Sequence, residues 1–356
     1  MAYTTIDDPS AYFQTKLYTG NSSTQSITFD GNTNMQPDWV WIKSRSATEW
    51  HQVHDSARGV AKYLFPNTDS AEGERSPNDQ VTSFNSNGFS LGAGANDSVN
   101  SNGGSYASWN WKAGTSVSGN TTGSGTAKAY SGSVNTDAGF SIIKYVGNGT
   151  SAHTIPHHLG AVPQWVLIKE TSNASDWMGY HIGIGNTHTI KLNEPDAPVD
   201  RTDWWNDTTP TSSVVTLGDN GEINQNDTNY IMYSFSQKQG YSKFGSYEGT
   251  NNANGTFVYT GFSVGWVMIK NIDAGSTAWV IQDSKRSSSG GGNPADKRLR
   301  ANDSNAEETD SPVDLLSNGF KIRSTGSFTS DANTFIYMAF AENPFTTSTG
   351  VPATAR

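Results

Sequence analysis

Trp39-Val40-Trp41-Ile42-Lys43 returns as Trp165-Val166-Leu167-Ile168-Lys169 and again as Trp266-Val267-Met268-Ile269-Lys270. A pentapeptide that recurs three times in one chain marks an internal repeat, each copy being one supersecondary unit. Working outward, an aromatic-x-Gly step precedes each copy at a nearly constant distance from the anchor Trp, at Tyr18-Thr19-Gly20, Tyr145-Val146-Gly147 and Tyr247-Glu248-Gly249. Aromatic segments close the copies at a similarly constant distance beyond it, at Tyr106-Ala107-Ser108-Trp109, Tyr230-Ile231-Met232-Tyr233 and Phe335-Ile336-Tyr337-Met338. Ser86-Asn87-Gly88-Phe89 and Ser317-Asn318-Gly319-Phe320 link the first and third copies, with Leu217-Gly218-Asp219-Asn220-Gly221 in the corresponding place of the second.

Val40 and Ile42 alternate with Trp39 and Trp41, so large side chains leave both faces of the strand, as in a central strand covered on both sides. A residue kept in every copy is assigned to its own module's core. Asn-Gly pairs at 87, 102, 148, 220, 254 and 318 supply the positive φ angles of tight hairpins. The best helical candidate, Asp55 to Tyr63, is weakened by Gly59. The expected fold is therefore all-β, with three tandem jelly-roll or lectin-like β-sandwich modules. Their expected spans are 1–113, 139–240 and 241–346, followed by a tail at 347–356. Trp39 and Trp165 stand farther apart in the chain than Trp165 and Trp266, and the excess falls on a Gly/Ser/Thr-rich stretch at 114–138. That composition predicts a flexible linker and a loose first joint, against a tight second one at Gln239-Gly240-Tyr241.

Eleven Trp, 14 Tyr and 15 Phe supply enough apolar area for folded domains in a chain otherwise rich in Gly, Ser, Thr and Asn. The net charge of −10, with no run of Lys or Arg, argues against nucleic acid and anionic membrane as partners. Met1 to Asp8 carries no basic start followed by an apolar core, and no apolar run is long enough for a membrane span, so synthesis in the cytoplasm without a signal peptide or membrane insertion is expected. The absence of cysteine excludes disulfides and thiolate metal sites.

Trp204-Trp205 occurs in one copy only, inside the polar stretch 193–210, and reads as a loop-borne aromatic pair for a ligand or partner, with packing inside the loop as the competing reading. Trp50, beside Glu49 and His51, is a weaker version of the same idea. Five of the seven histidines fall in the second copy; His153, His157 and His158 have chelating spacing for a helix, but Pro156 and Gly160 place them in a turn, read as a solvated loop. Asp219 to Asn224 resembles a fragment of a calcium loop without its terminal bidentate Glu, and reads as a hairpin. Glu49, His51, His54 and Asp55 cluster in the first copy without full counterparts in the others. There is no phosphate loop and no nucleophile elbow. The expectation is a protein that is not an enzyme, with no cofactor and no metal.

Three segments carry a resemblance: Asp8-Pro9-Ser10-Ala11-Tyr12-Phe13-Gln14-Thr15-Lys16-Leu17-Tyr18-Thr19-Gly20-Asn21, Gln36-Pro37-Asp38-Trp39-Val40-Trp41-Ile42-Lys43, and the closing Ala339-Phe340-Ala341-Glu342-Asn343-Pro344-Phe345 with Ala353-Thr354-Ala355-Arg356. They resemble virion-associated proteins of tailed phages of marine bacteria, notably cyanophages. The resemblance implies a phage virion structural protein, tail- or fibre-associated, contributing to host-surface glycan attachment. Its partners would be other virion proteins and host glycans, and it would act as a homo-oligomer on the particle. Two alternatives stay open: a capsid-decorating or tail-clamping protein without a glycan ligand, and a polysaccharide-degrading appendage. Of the three copies, the second is the expected binder.

Overall fold

A computed structural model describes residues 2–76, 78–93 and 97–353, and it is built almost wholly of antiparallel strands. Thr354-Ala355-Arg356, the end of the expected tail, lie outside the described residues. Each copy contributes four strands in the same spatial order: opening, closing, anchor and partner. In the first these are Phe13–Thr19, Ser105–Trp111, Trp39–Ser44 and Gln52–Asp55; in the second Phe140–Val146, Asn229–Phe235, Trp165–Glu170 and Trp177–His181; in the third Ser242–Glu248, Thr334–Pro344, Phe262–Asn271 and Val280–Asp283. The register repeats as well, since Trp39, Trp165 and Trp266 stand opposite Trp111, Phe235 and Phe340.

A second layer covers one face of each set. It comprises Gln25–Thr28, Gly88–Leu91 and Val81–Asn85 in the first module, and Thr122–Gly123, His153–Pro156 and Val214–Leu217 in the second. In the third, Ala295–Arg300 joins the two layers, so one eight-stranded sheet wraps round on itself. The chain is all-β, and its modules are sandwiches. Val40 and Ile42 face Ile27, Phe89 and Leu91; Val166 and Ile168 face Ile155 and Val215; Val267 and Ile269 face Val258 and Phe320. The Asn87-Gly88 turn behaves as its sequence predicts: Gly88 has φ +114°, and a Cβ there would lie 2.0 Å from the Ile27 carbonyl oxygen.

The opposite face of each anchor strand belongs elsewhere. Trp39 and Trp41, Trp165 and Leu167, and Trp266 and Met268 all enter a single cluster shared by the three modules. At its centre the equivalent residues Trp111, Phe235 and Phe340 meet one another, with ring centroids 5.4, 5.9 and 6.4 Å apart. The modules therefore surround one axis with pseudo-threefold symmetry. Assigning the whole anchor to its own module's core is corrected accordingly: the period of two splits the motif between two interiors. A buried Trp removes 150–250 Å² from water, roughly 4–6 kcal/mol as an upper bound, so the shared interior is a main source of cohesion.

Directional bonds close the ring. The His51, Trp177 and Trp279 side chains, equivalent in the three modules, donate to the carbonyls of Arg300, Phe65 and Lys191, at 2.9, 2.9 and 3.0 Å. Those carbonyls are equivalent too, each following the residue paired with Ile281, Val53 or Gly179. The bonds run from first module to third, second to first and third to second. A head-to-tail contact whose rotation returns on itself makes a closed ring, here within one chain. A second set runs the other way round: Asp55 accepts from the Tyr233 hydroxyl at 2.7 Å, Asp283 from the Trp109 indole at 2.9 Å, and His181 donates to the Tyr337 carbonyl at 3.1 Å.

Several expectations are corrected. The segment 114–138 is not a flexible linker: Thr115–Asn120 pairs with Ala129–Asn135, which pairs with Phe140–Val146, extending the second module's sheet to eight strands. Only three residues separate Trp111 from Thr115, so the first joint is as short as any. Backbone ladders at an exposed sheet edge need little side-chain burial, which is why the composition imitates a linker. Asp55 to Tyr63 is a strand end, a turn and the short strand Lys62–Tyr63 rather than a helix. Asn220-Gly221 does not turn a hairpin; the Asn220 side chain caps the helical turn Gly221–Asn224 by accepting from the Glu222 amide. Among the described residues, no helix is long and apolar enough to cross a membrane.

Candidate functional site

The three joints are built alike and finished differently. Two residues beyond the repeated lysine stand Arg45, Thr171 and Ile272; three beyond Asp55, His181 and Asp283 stand Arg58, Ile184 and Arg286. Between the third and first modules, the Arg45 guanidinium grips Glu307 through Nε and Nη2, both at 2.8 Å, and Arg286 adds a contact at 3.1 Å. The Glu307 amide also donates to the Arg45 carbonyl. Between the second and third, Ile184 and Ile272 pack against the central cluster. Between the first and second, the Glu72 amide donates to the Thr171 carbonyl, repeating the backbone bond, but threonine has no guanidinium to send across. Glu72 pairs instead with Arg58 at 3.2 Å and Lys62 at 2.7 Å.

The joint left unfilled is a cleft of about 570 Å³. Arg58, Lys62 and Glu72 form its first-module wall, and Ser131, Lys144, Thr171, Ser172 and Asn229 contribute from the second. The period of two places Lys144 there: Phe140 and Ile142, on the same face of the strand, fill the shared interior, and the next residue on that face emerges into the cleft. Tyr145 and Tyr230 also border it, but their hydroxyls donate inward to the carbonyls of Ile223 and Gly221, so the cleft meets them as ring surface. Three cations face one carboxylate in a chain whose net charge is −10. Burial opposes the charge on Arg58, yet Asp55, Tyr233 and Glu72 outweigh it and hold its pKa above the ordinary value. Lys144 is exposed and makes no ion pair among the described residues.

The residues expected to bind lie elsewhere. Trp204 and Trp205 sit in the helical turn Thr202–Trp205, 4% and 1% exposed, inside the second module's core with Ile155 and Val215. The reading of this pair as a free loop contact is corrected: a helical turn after polar residues lays both indoles on the sheet, where no alternation signals it. Trp205 packs edge-on against Tyr180, and the Arg201 guanidinium covers Trp204 at 5.2 Å. Trp204 borders a second cleft of about 620 Å³ together with Glu170, Lys191, Arg201 and Glu222; burial raises the Glu222 pKa, with Lys191 opposing. Trp50 is 47% exposed and stands edge-on to Phe65, outside the residues of either cleft.

Of the histidines read as a solvated loop, His158 is exposed and hydrogen-bonds the Tyr130 hydroxyl, but His153 and His157 are not solvated. His153 is buried between Asn224 and Thr121, and His157, also buried, bonds the Thr211 carbonyl; burial lowers the His157 pKa to about 4. His157 Nδ1 accepts from the Leu159 amide, the other three ring nitrogens meet neutral oxygens, and among the described residues no three metal-ligating side chains converge. In the first-module cluster, His51 and Asp55 serve the ring bonds. The Trp41 indole donates to His51 Nδ1 at 2.8 Å, so the proton given to Arg300 lies on Nε2. Lys62, Lys144 and Thr171 carried no motif. Their only signal is the contrast of Thr171 with Arg45 and Ile272 just beyond the repeated pentapeptide.

Three sandwiches closed head to tail, with one joint held open, define a single-chain pseudo-trimeric β protein with an inter-module cleft. The chain belongs to the family described as "Domain of unknown function (DUF7483)", which matches residues 8–344 and so takes in all three modules as one unit. No curated protein and no solved structure matches it.

Proposed function

We propose that this protein is a non-catalytic virion structural protein of a tailed phage, tail- or fibre-associated, that contributes to attachment at host-surface glycans. The observation that carries this reading is the open joint: a concave site with hydroxyl, amide and charged groups and aromatic edges, where the equivalent positions of the other two joints hold the Arg45–Glu307 pair and two isoleucines. Hydroxyl and amide groups from Ser131, Thr171, Ser172 and Asn229 suit the hydrogen-bonding surface of a sugar. The buried His51, His181, Asp55 and Asp283 are engaged in holding modules together. Many copies on one particle would turn a weak glycan contact into firm attachment. Immunogold electron microscopy of intact particles and binding of purified protein to host cells test the reading. Label at the tail and saturable cell binding are expected; particles without label, or protein that ignores host cells, would remove it.

One observation favours a purely structural alternative, tail clamping or capsid decoration. Phe257 and Tyr259 project from the edge strand Phe257–Tyr259 of the third module and are 44% and 49% exposed. Exposed aromatics on a sheet edge suit a protein neighbour. Label on the capsid, with no cell binding, is the result that alternative requires.

A further inference from the structure

We propose that the cleft between the first and second modules binds a carboxylate-bearing saccharide, with Lys144 receiving the carboxylate and Ser131, Thr171 and Asn229 meeting the hydroxyls. The choice of a sugar rests on the attachment reading above; the choice of an anionic one rests on the cleft itself. Arg58, Lys62 and Lys144 outnumber Glu72 and the Asp55 carboxylate bonded to Arg58, three to two, so the site is locally positive within an acidic protein. Arg58 is committed to Asp55, the Val53 carbonyl and Glu72, and Lys62 to Glu72. Lys144 is exposed and makes no ion pair among the described residues, which leaves a cation available at the cleft. A carboxylate there gains charge-assisted bonds in a partly desolvated site.

The other joints act as built-in controls. In one, Arg45 reaches across from the position of Thr171 and neutralises Glu307; in the other, Ile272 takes that position and packs on the central cluster with Ile184. Thr171 is the residue that separates an open joint from a closed one. Thr171→Arg should copy the Arg45–Glu307 contact by reaching Glu72, closing the cleft while keeping the ring bonds.

The test is calorimetric titration of the full chain with a trigalacturonate, a neutral oligosaccharide of the same length and inorganic phosphate. Saturable trigalacturonate binding is expected, weakening as salt rises, with the neutral sugar and phosphate at least tenfold weaker, about 1.4 kcal/mol. Lys144→Glu and Thr171→Arg should each lower trigalacturonate affinity by at least tenfold without lowering the melting temperature, and Lys144→Gln should fall between them and the parent. Equal binding of the neutral sugar, equal binding of phosphate alone, or undiminished binding by Thr171→Arg would each overturn the assignment. Host-cell binding by the same variants keeps this failure distinct from that of the attachment reading. If Thr171→Arg adheres like the parent and neither binds trigalacturonate, the cleft is wrong and attachment stands. If trigalacturonate binds but cells do not, the cleft stands and attachment falls.

Discussion

Lys43, Lys169 and Lys270 end the repeated pentapeptide and are fully buried, each donating to the next residue's carbonyl, at 2.6, 2.7 and 2.9 Å. Burial lowers the pKa of each from 10.5 to about 8, although carboxylates oppose it: Asp303, Glu49 and Glu307 at Lys43, Glu170, Asp69, Asp176 and Glu222 at Lys169, Asp196 at Lys270. At pH 9 the unfolded lysines are protonated and the folded ones mostly neutral, so unfolding takes up protons and stability rises with pH. Unfolding at pH 9 should therefore bind roughly three protons, read from the slope of unfolding free energy against pH. Replacing the three lysines by methionine should flatten that slope. Above about pH 10 the sign reverses. Burial holds the pKa values of Tyr145, Tyr233 and Tyr247 well above 10, so the unfolded chain loses those protons first and stability falls. On the acid side, burial lowers His54 to about 3 and His181 to about 4, so both are neutral when folded. Stability should fall as pH drops from 6.5 towards 4, where the unfolded imidazoles charge first. His54→Gln and His181→Gln should each reduce that acid slope in urea titrations; an unchanged slope would show that these imidazoles are already charged in the folded protein.

Among the elements, the anchor strands were legible because a three-fold repeat and a period of two are strong signals, and both survive in the structure as shared sheet order and register. What the alternation could not tell is which interior each face meets, because Trp, Leu and Met on the axis side look no different from core residues. The hairpin 115–135 and the turn carrying Trp204-Trp205 were misread for the complementary reason: a backbone ladder at an edge and a one-turn helix leave no periodic trace. The cleft was illegible because its defining residue is a threonine, informative only beside Arg45 and Ile272. The axis residues make the distinction measurable. Truncating Trp111, Phe235 or Phe340 to alanine should cost about 3–5 kcal/mol, as for a large core aromatic, although each lies between modules. Because Trp111 and Phe340 touch, the cost of the pair should depart from the sum of the single costs in a double-mutant cycle, by about 0.5 kcal/mol or more. Single costs of only about 0.5 kcal/mol, the size of a surface substitution, would mean that the modules stand apart and the shared interior contributes little.

At the scale of the whole molecule, ring closure determines how the protein comes apart. A free module would expose Phe140, Ile142, Trp165, Leu167, Tyr233 and Phe235 together, an apolar face that soluble monomers rarely tolerate. Residues 114–240 expressed alone should therefore aggregate or self-associate rather than remain a soluble monomer. In the complete chain, each module is held by both neighbours, so no joint can open without loosening the other two. Trp177→Phe and Trp279→Phe each delete one equivalent ring bond and leave a carbonyl facing a ring edge, at a cost of about 1–3 kcal/mol. Calorimetry should show one transition in the parent and one, shifted down by similar amounts, in both variants. If the modules were independent beads, Trp279→Phe would instead lower only a third-module transition and leave the rest of the trace in place. A split trace of that kind would refute the closed ring as the unit of stability, and a single shifted peak would show that three repeats have become one cooperative body.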